Sequence, residues 1–463
     1  MKVIICGAGK VGTSIAKHLV DQDNDVTVID QSYELINDLR DKVDLKTIIG
    51  SASNPSILQN AGCDTADMLI AVTLQDEINM VACQMAHTFF KVPRKIARIR
   101  SEDFLNPIWR DLYNADNMPI DLIISPELEV AKSIKRQIQS PGAYDVVPFV
   151  DEKVQLLCIS INENCPLIDT DLKSIHELFQ EDINDNKNLR ASIIGILRND
   201  KLFIPQKKDK LLLNDNIYVL TDKIHIDRTI SAFDLDDKPL KKIIIIGGGN
   251  IGFNLAKDLE ELNLSISITI IETNKDRSNY IADHLKHTLV LNGDGLDQSI
   301  LDEANVADAD IILALTNDDE TNIITSAIAK RNMCKSLILV NNSEYANLKD
   351  VLGIDRIIDP RMITVSKILK HIHKGKIESV YSVGNNQGEI IHAQALKNSK
   401  IINKHLEDAS IPDGVRIGVV YKNGKVLIPD KNTIINENDD VVFLSLLKSI
   451  KKAEELFQVS NIY

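Results

Sequence analysis

The chain has 463 residues, 44% of them hydrophobic and 26% charged, which is enough apolar content for about two to four folded domains and excludes a mainly disordered chain. Asp and Glu (67) outnumber Lys and Arg (53), and the net charge of −14 argues against a nucleic-acid partner. No apolar run approaches the roughly 20 residues that span a bilayer, and six scattered cysteines without a Cys-x-x-Cys pair fit a reducing cytosolic compartment.

Residues 1–125 alternate short apolar strands with amphipathic helices. Strands are predicted at 3–6, 25–30, 45–49, 68–71, 96–99 and 122–124, and helices near 10–20, 33–40, 55–61 and 78–90. Short strands with apolar residues on both faces are typical of a parallel sheet covered by helices on each side. We therefore predict an α/β fold with a doubly wound parallel-sheet (Rossmann-like) domain in this segment.

The next two segments differ from the first in pattern. A connecting helix is predicted to begin at Pro126, a residue suited to a first helical turn, and segment 126–143 ends in the helix-breaking sequence Ser140-Pro141-Gly142. Residues 144–228 then read as short strands and turns, with a hairpin turn at Asn199-Asp200. The pattern predicts a small α+β domain.

After a predicted linker at 229–240, the whole arrangement repeats. Segment 3–12 (VIICGAGKVG) returns as 243–252 (IIIIGGGNIG), segment 61–73 returns as 304–316, and the motif DEIN at 76–79 returns as DETN at 319–322. The period of about 240 residues indicates duplication of a two-domain module rather than a solenoid. We predict a second Rossmann-like domain at 241–359, a connecting helix at 360–374 and a second α+β domain at 375–463.

The strongest chemical signal is the motif Gly-x-Gly-x-x-Gly, which occurs at 7–12 and again at 247–252. Between a strand and a helix, such a turn lets the backbone approach a pyrophosphate at the helix N-terminus. Asp30 and Glu272 end the following strands, where a carboxylate accepts ribose hydroxyls and repels a 2′-phosphate, so NAD is favoured over NADP. The predicted contacts in the turns are Gly7, Ala8, Gly9, Lys10, Val11, Gly12, Gly247, Gly248, Gly249, Asn250, Ile251 and Gly252.

Further candidates follow the third and fourth strands of each parallel sheet. The loop after the third strand lies beside the adenine end of the predicted crevice, and its residues either bind adenosine or only cap the next helix. Thr73 and Thr316 follow the fourth strand and either contact phosphate or cap the next helix. The loop candidates are Ser51, Ala52, Asp294 and Gly295.

Arg98 and Arg100 end the fifth strand, and alternation places both on one face. They either hold a ligand's distal phosphates bidentately or lie at a solvated surface or interface. The second copy has no arginine there.

Motifs for catalysis are absent from the sequence. It contains no Gly-x-x-x-x-Gly-Lys-Ser/Thr, Gly-x-Ser-x-Gly or His-Glu-x-x-His motif, and the α+β segments offer no catalytic His/Arg/Asp set. The pair His371 and His373 is predicted on a solvated helix face, without a metal. The nucleotide is therefore predicted to be a signal and the protein not an enzyme, the alternatives being a free-standing cytosolic NAD/ATP-responsive sensor and an NAD-dependent oxidoreductase.

The tandem order of these motifs resembles the TrkA family, the peripheral nucleotide-binding subunits of Trk potassium uptake systems, with an RCK/KTN domain and an RCK-C domain occurring twice. The resemblance covers essentially the whole chain. It implies a cytoplasmic protein, peripheral at the inner face of the cell membrane, that forms a homo-oligomer (a dimer or a tetrameric-type ring). It also implies a membrane-embedded Trk-type potassium channel subunit as partner, gated when NAD, NADH, ATP or ADP biases the ring between conformations.

The resemblance also implies roles for single residues. The glycines and the two carboxylates match the family's nucleotide contacts, and Arg98 and Arg100 match arginines suited to an ATP phosphate. Ser51 stands where the family usually has aspartate, which weakens the adenosine contact of the first site, while Lys10 adds positive charge at its phosphate end. We therefore predict that the first site prefers ATP or ADP and the second NAD(H).

Overall fold

The computed structural model describes residues 1–114, 116–180, 189–235, 240–262, 265–342, 345, 349–369, 371, 376–384 and 386–458. The chain divides into two compact units, residues 1–129 with 360–368 and residues 130–359 with 369–463. Within the described residues, the first unit holds one six-stranded parallel sheet, and the second holds another such sheet and two five-stranded antiparallel sheets. The predicted fold class is confirmed.

The parallel sheet of the first unit has the strand order β3-β2-β1-β4-β5-β6. Its four inner strands are mostly buried between helices, with Ile5 and Ile70 fully covered, whereas the edge strand that ends at Ile49 is partly exposed. The predicted strands and helices are confirmed with shifts of at most two residues at either end. The elements are β1 (Lys2–Cys6), α1 (Lys10–Asp21), β2 (Asp25–Asp30), α2 (Tyr33–Lys42), β3 (Lys46–Ile49), α3 (Pro55–Ala61), β4 (Met68–Ala71), α4 (Asp76–Thr88), β5 (Arg94–Arg98), α5 (Glu102–Leu105), β6 (Leu122–Ile124) and α6 (Pro126–Gln139).

The first antiparallel sheet of the second unit has the order β10-β9-β11-β8-β7. The predicted hairpin is confirmed, since Asn199 and Asp200 connect β9 to β10 with φ of +49° and +58°. The elements are β7 (Asp145–Phe149), β8 (Val154–Ser160), α7 (Leu172–Gln180), β9 (Ala191–Arg198), β10 (Lys201–Phe203), β11 (Asn216–Asp222) and α8 (Ile226–Ser231).

The second parallel sheet repeats the first, in the order β14-β13-β12-β15-β16-β17. The elements are β12 (Lys242–Ile246), α9 (Asn250–Glu261), β13 (Ser267–Glu272), α10 (Lys275–His284), β14 (Leu289–Asn292), α11 (Gln298–Glu303), β15 (Ile311–Ala314), α12 (Asp319–Arg331), β16 (Lys335–Leu339), α13 (Lys349–Leu352), β17 (Arg356–Ile358) and α14 (Pro360–Leu369), the last grouped with the first unit through residue 368.

The second antiparallel sheet has the order β18-β19-β22-β20-β21. The first sheet, read from its other edge, is β7-β8-β11-β9-β10, so the two sheets have the same topology. The two antiparallel sheets share one hydrophobic core, in which Leu156 and Tyr218 of one sheet join Ile390 and Leu444 of the other. The elements are β18 (Ile377–Val383), β19 (Gly388–Gln394), β20 (Val415–Lys422), β21 (Lys425–Leu427), β22 (Asp440–Leu446) and α15 (Ile450–Phe457).

Several predicted boundaries remain predictions. Helix α8 runs across the boundary predicted at residue 228, and residues 236–239 of the predicted linker lie outside the described residues. The connecting helix predicted at 360–374 is described as far as Leu369, and its residues 370 and 372–375, which include His373, are not described. Of the helices that the structure describes, none is both long enough and apolar enough to cross a membrane.

Candidate nucleotide-binding sites

Each parallel sheet reverses its strand order beside its first strand. In the first unit β1 pairs with β2 on one side and β4 on the other, and β12 likewise lies between β13 and β15. In open α/β sheets this switch point leaves a crevice outside the carboxyl ends of the strands, where ligands bind. Both glycine turns leave the sheet at this point.

The three glycines of the first turn have different geometric requirements. Gly7 has φ of +115°, which favours glycine, and a Cβ on Gly12 would lie 1.8 Å from the Gly7 carbonyl oxygen. By contrast, no described atom beyond Gly9 and its two chain neighbours lies within 4 Å of the position a Cβ on Gly9 would take, so this residue borders open space. The second turn repeats all three features at Gly247 (φ +105°), Gly252 (2.2 Å) and Gly249.

The helices that follow the turns have uncapped N-termini. In the described part of the chain, no side chain caps α1 at Gly9 or α9 at Gly249, and neither helix has an acidic residue in its first turn. Helices α2 and α3 of the same sheet are capped, by Ser32 and Asn54. The free N–H groups and positive dipole ends of α1 and α9 therefore suit an anion, and the exposed Lys10 adds charge at the first site.

The two predicted ribose carboxylates also hold the glycine turns. Asp30 Oδ2 accepts a hydrogen bond from the Ala8 N–H at 2.6 Å, and Oδ1 accepts one from Ser32 at 2.8 Å. Because a carboxylate has about four acceptor positions, these bonds leave capacity for ribose hydroxyls. The second copy repeats the arrangement with Glu272, Gly248 and Asn274, at 2.8 Å for both bonds.

The loops after β3 and β14 have mainly local partners. The Ser51 hydroxyl pairs with the hydroxyl two residues further on at 2.8 Å, and Asp294 Oδ1 accepts the N–H two residues further on at 2.9 Å. Ala52 is buried, and a Cβ on Gly295 would lie 2.4 Å from Ile246. These contacts favour a turn-forming and packing role for the four residues, while nucleotide contact by them stays a prediction.

Thr73 is held by Asn79, a residue that the sequence analysis did not single out. The Thr73 N–H and hydroxyl donate to Asn79 Oδ1 at 2.9 and 2.8 Å, and Asn79 Nδ2 donates to the carbonyls of Thr73 and Arg98. The Thr73 hydroxyl is thus engaged beside the N-terminus of α4. The second copy repeats the network with Thr316, Asn322 and Leu339.

The same helix turn carries a second anchoring residue that was missed. Asp76 Oδ2 accepts the backbone N–H groups of Arg100 and Ser101, both at 2.8 Å, and Asp319 accepts those of Asn341 and Asn342. The available signal was the duplicated Asp-Glu-x-Asn motif, whose first and last residues fix the end of the fifth strand.

Arg98 and Arg100 converge on Glu127, in the first turn of α6. Arg100 Nε lies 3.1 Å and Arg98 Nη2 3.9 Å from Glu127 Oε1. Burial lowers the pKa of Arg98, while the charge of Glu127 opposes that shift. Among the described residues, neither Arg98 Nε nor Glu127 Oε2 has a hydrogen-bond partner. The structure therefore brings the two arginines together as the alternation predicts, and adds a carboxylate that was not predicted.

The fold and these sites define a protein with two Rossmann-type nucleotide-binding domains. Residues 3–126 and 243–360 match the TrkA-N domain, and residues 394–458 match the TrkA-C domain. The chain is 43% identical over 461 residues to the Trk system potassium uptake protein TrkA of Azorhizobium caulinodans, covering 99% of both chains, and 36% identical over 468 residues to that of Vibrio alginolyticus, covering 100% of both. The chain belongs to the TrkA family.

Solved structures share the fold at low sequence identity. The GsuK channel matches with a TM-score of 0.62 and 16% identity, over 98% of this chain and 78% of that one. The GsuK channel bound to NAD matches with a TM-score of 0.60 and 16% identity, again over 98% of this chain and 78% of that one.

Proposed function

We propose that this chain is the nucleotide-binding regulatory subunit of a Trk-type potassium uptake system and is not an enzyme. The observation that carries the proposal is the pair of open glycine turns with uncapped helices, in a chain that matches TrkA proteins along its full length. The names of these relatives support a role in potassium uptake, and the NAD-bound GsuK structure supports a nicotinamide nucleotide as one ligand.

Regulation requires that a nucleotide bind one conformation better than another. A coupling free energy of about 1–3 kcal/mol would change channel opening roughly 5–150-fold. We propose that the chain acts as a homo-oligomeric ring, on the cytoplasmic face of the membrane, against a membrane-embedded potassium channel subunit.

The two sites differ in charge, which supports a division of labour. The first has Lys10, Arg98 and Arg100, whereas the second has Leu339 and Asn341 at the two arginine positions. We propose that the first site takes ATP or ADP and the second takes NAD(H). Isothermal titration tests this: Arg100→Ala should weaken ATP binding and spare NADH binding, whereas Glu272→Ala should do the reverse. Unchanged ATP affinity in Arg100→Ala would refute the assignment.

Substitutions at the open glycines test nucleotide binding itself. Gly9→Asp and Gly249→Asp each place a carboxylate where a phosphate would bind, with no described atom in the way of the new Cβ. Aspartate is a favoured N-cap, so both variants should fold with unchanged or raised melting temperature. Each should abolish binding at its own site only, and the double variant should bind no nucleotide. Retained binding in the double variant would disprove these sites.

The function itself is tested in membranes. Tagged chain purified from detergent-solubilised host membranes should bring a polytopic potassium channel subunit with it, and potassium flux should respond to nucleotide in the wild type and not in the Gly9→Asp/Gly249→Asp variant. Recovery of soluble partners alone would favour a free-standing sensor. Turnover of NADH with a substrate would favour an oxidoreductase.

A further inference from the structure

In each turn, the carbonyl oxygen of the residue between the first two glycines accepts a side-chain hydrogen bond, but the donor differs between the two copies. In the first turn, the Thr13 hydroxyl donates to the Ala8 carbonyl oxygen at 2.9 Å. In the second, phenylalanine takes the position of Thr13, as the fourth residue of α9, and Arg277 Nε donates to the Gly248 carbonyl oxygen at 2.8 Å. The two copies thus satisfy the same carbonyl by different means.

Arg277 is held in place by aromatic rings. Its guanidinium carbon lies 5.2 Å from the ring centroid of Phe253 and 5.0 Å from that of Tyr280, within the range of cation–π attraction. The structure gives its Nη2 atom no hydrogen-bond partner among the described residues. The corresponding third residue of α2 in the first copy is Leu35, so the first turn has no such arginine.

The second turn needs more support than the first because it contains three consecutive glycines, Gly247 to Gly249, where the first has Ala8 in the middle. Glycine has the greatest backbone freedom to lose on ordering. A side chain at Gly248 would require its neighbours to shift, since a Cβ there would lie 2.4 Å from Ile281 Cδ1 and 3.1 Å from Glu272 Oε2.

Two hydrogen bonds fix Gly248 from both sides. Glu272 Oε2 accepts a hydrogen bond from the Gly248 N–H at 2.8 Å, and Arg277 Nε donates one to the Gly248 carbonyl oxygen. In a trans peptide the C=O and N–H groups point in opposite directions, so the bond from Arg277 directs the Gly249 N–H away from the arginine. The orientation of the peptide that leads into α9 is therefore set before any ligand binds.

We propose that Arg277 is a positioning residue of the second nucleotide site, which orders the three-glycine turn for the pyrophosphate of a dinucleotide. The inference rests on the proposed function of that site. Its physical basis is preorganisation: a turn ordered in advance leaves less conformational entropy to be lost on binding. In the first site, Ala8 and the hydrogen bond from the Thr13 hydroxyl order the turn instead.

The test measures NADH binding to the full chain by isothermal titration, in the Gly9→Asp background so that only the second site is read. Arg277→Leu, the residue of the first copy, should weaken binding about tenfold, the size of one net hydrogen bond. Hydrogen exchange of residues 247–252 without ligand should become faster in this variant. Unchanged affinity together with unchanged exchange would overturn the inference.

Two further variants separate positioning from charge. Phe253→Thr/Arg277→Leu gives the second turn the residues of the first copy. The new threonine hydroxyl can donate to the Gly248 carbonyl oxygen, as Thr13 does to Ala8, and should restore most of the lost affinity. Arg277→Lys keeps the charge but lacks the planar guanidinium, which stacks on the aromatic rings and donates to Gly248 at the same time. NADH binding should therefore stay weak in this variant. Recovery with lysine and none with the double variant would mean that Arg277 acts by charge, and the inference would be wrong.

The design distinguishes this inference from the proposed function. If NADH does not bind the second site of the parent chain, or binds equally well after Gly249→Asp, the proposed site itself fails. If NADH binds the parent and is lost only in Gly249→Asp, the site stands and the Arg277 variants decide the positioning role. Thermal unfolding of each variant checks that it is folded.

Discussion

Asn79 donates its side-chain amide to the main-chain carbonyl of Arg98 at 2.9 Å, from a position with no solvent exposure. The bond joins the first helical turn of α4 to the carboxyl end of β5. Through the same amide, Asn79 also holds Thr73 at the end of β4. One buried side chain therefore sets the spacing of two strand ends at the edge where the nucleotide is proposed to bind.

Asn79→Asp should destabilise the first unit by about 2–4 kcal/mol, because it replaces an amide donor with a carboxyl oxygen facing two buried carbonyls. Trp109, the single tryptophan of the chain, lies in the first unit, so its fluorescence during urea unfolding reports on that unit. Asn60→Asp, at an exposed position on α3, is the matched control and should shift the midpoint little. Equal midpoints for the two variants would contradict the anchoring role.

Gly12→Ala and Gly9→Ala should differ sharply although both add one methyl group to the same turn. At Gly12 the new Cβ would lie 1.8 Å from the Gly7 carbonyl oxygen, so α1 must move off the turn, at a cost of about 1–3 kcal/mol or more. At Gly9 the Cβ enters open space, and the expected loss is below about 1 kcal/mol. Unfolding midpoints compare the two, and similar losses would show that the turn is not packed as described.

The sequence predicts the sheets well because strand order and burial follow from short apolar strands, and because the duplication lets each half support the other. It also predicts the glycine turns, since Gly7 and Gly12 are required by the backbone itself. The spacing of the motif did not indicate that Asp30 also accepts a hydrogen bond from the Ala8 N–H and so holds the turn.

Several contacts of the missed residues join positions far apart in the sequence. Glu127 meets Arg100 from 27 residues away, and Arg277 meets Gly248 from 29 residues away. Such pairs depend on how helices pack, which local periodicity does not encode. The duplicated Asp-Glu-x-Asn motif was visible, but its meaning required knowing that α4 begins beside the end of β5.

His225 should make the second unit less stable as the pH falls below about 6.5, the ordinary value for histidine. Burial lowers the pKa of His225, and its Nδ1 accepts the Arg190 N–H at 3.1 Å, which requires an unprotonated nitrogen. The folded chain then binds fewer protons than the unfolded chain. The stabilisation is present above the unfolded pKa and is lost as the pH falls through it, by at most about 1.4 kcal/mol per pH unit.

His225→Asn keeps an acceptor at the same place and cannot be protonated there, so its melting temperature should fall less between pH 7 and pH 5 than that of the parent chain. His287→Asn, at an exposed imidazole, is the control and should follow the parent. If both variants follow the parent, protonation of His225 does not contribute.

Glu127→Gln should have opposite effects on stability and on nucleotide affinity. Without nucleotide, the change removes the counter-charge of Arg98, whose side chain is only 14% exposed, and should destabilise the first unit by about 1–2 kcal/mol after allowance for solvent screening. When nucleotide binds the variant, its phosphate no longer competes with the Glu127 carboxylate for Arg98 and Arg100. ATP should therefore bind several-fold more tightly, and its stabilisation of the first unit should be larger than in the parent chain.

Glu129→Gln is the matched control, because it makes the same charge change on the same helix, where Glu129 pairs with Lys367 at 3.0 Å instead of with the arginines. Isothermal titration with ATP at two salt concentrations separates the local effect from the general change of charge, since screening weakens the general effect more. Tighter ATP binding in Glu127→Gln alone means that Glu127 and phosphate compete for Arg98 and Arg100, which would connect nucleotide binding directly to the first turn of α6. Equal effects of the two variants would leave only long-range electrostatics, and weaker ATP binding in Glu127→Gln would show that the carboxylate supports the ligand rather than opposing it.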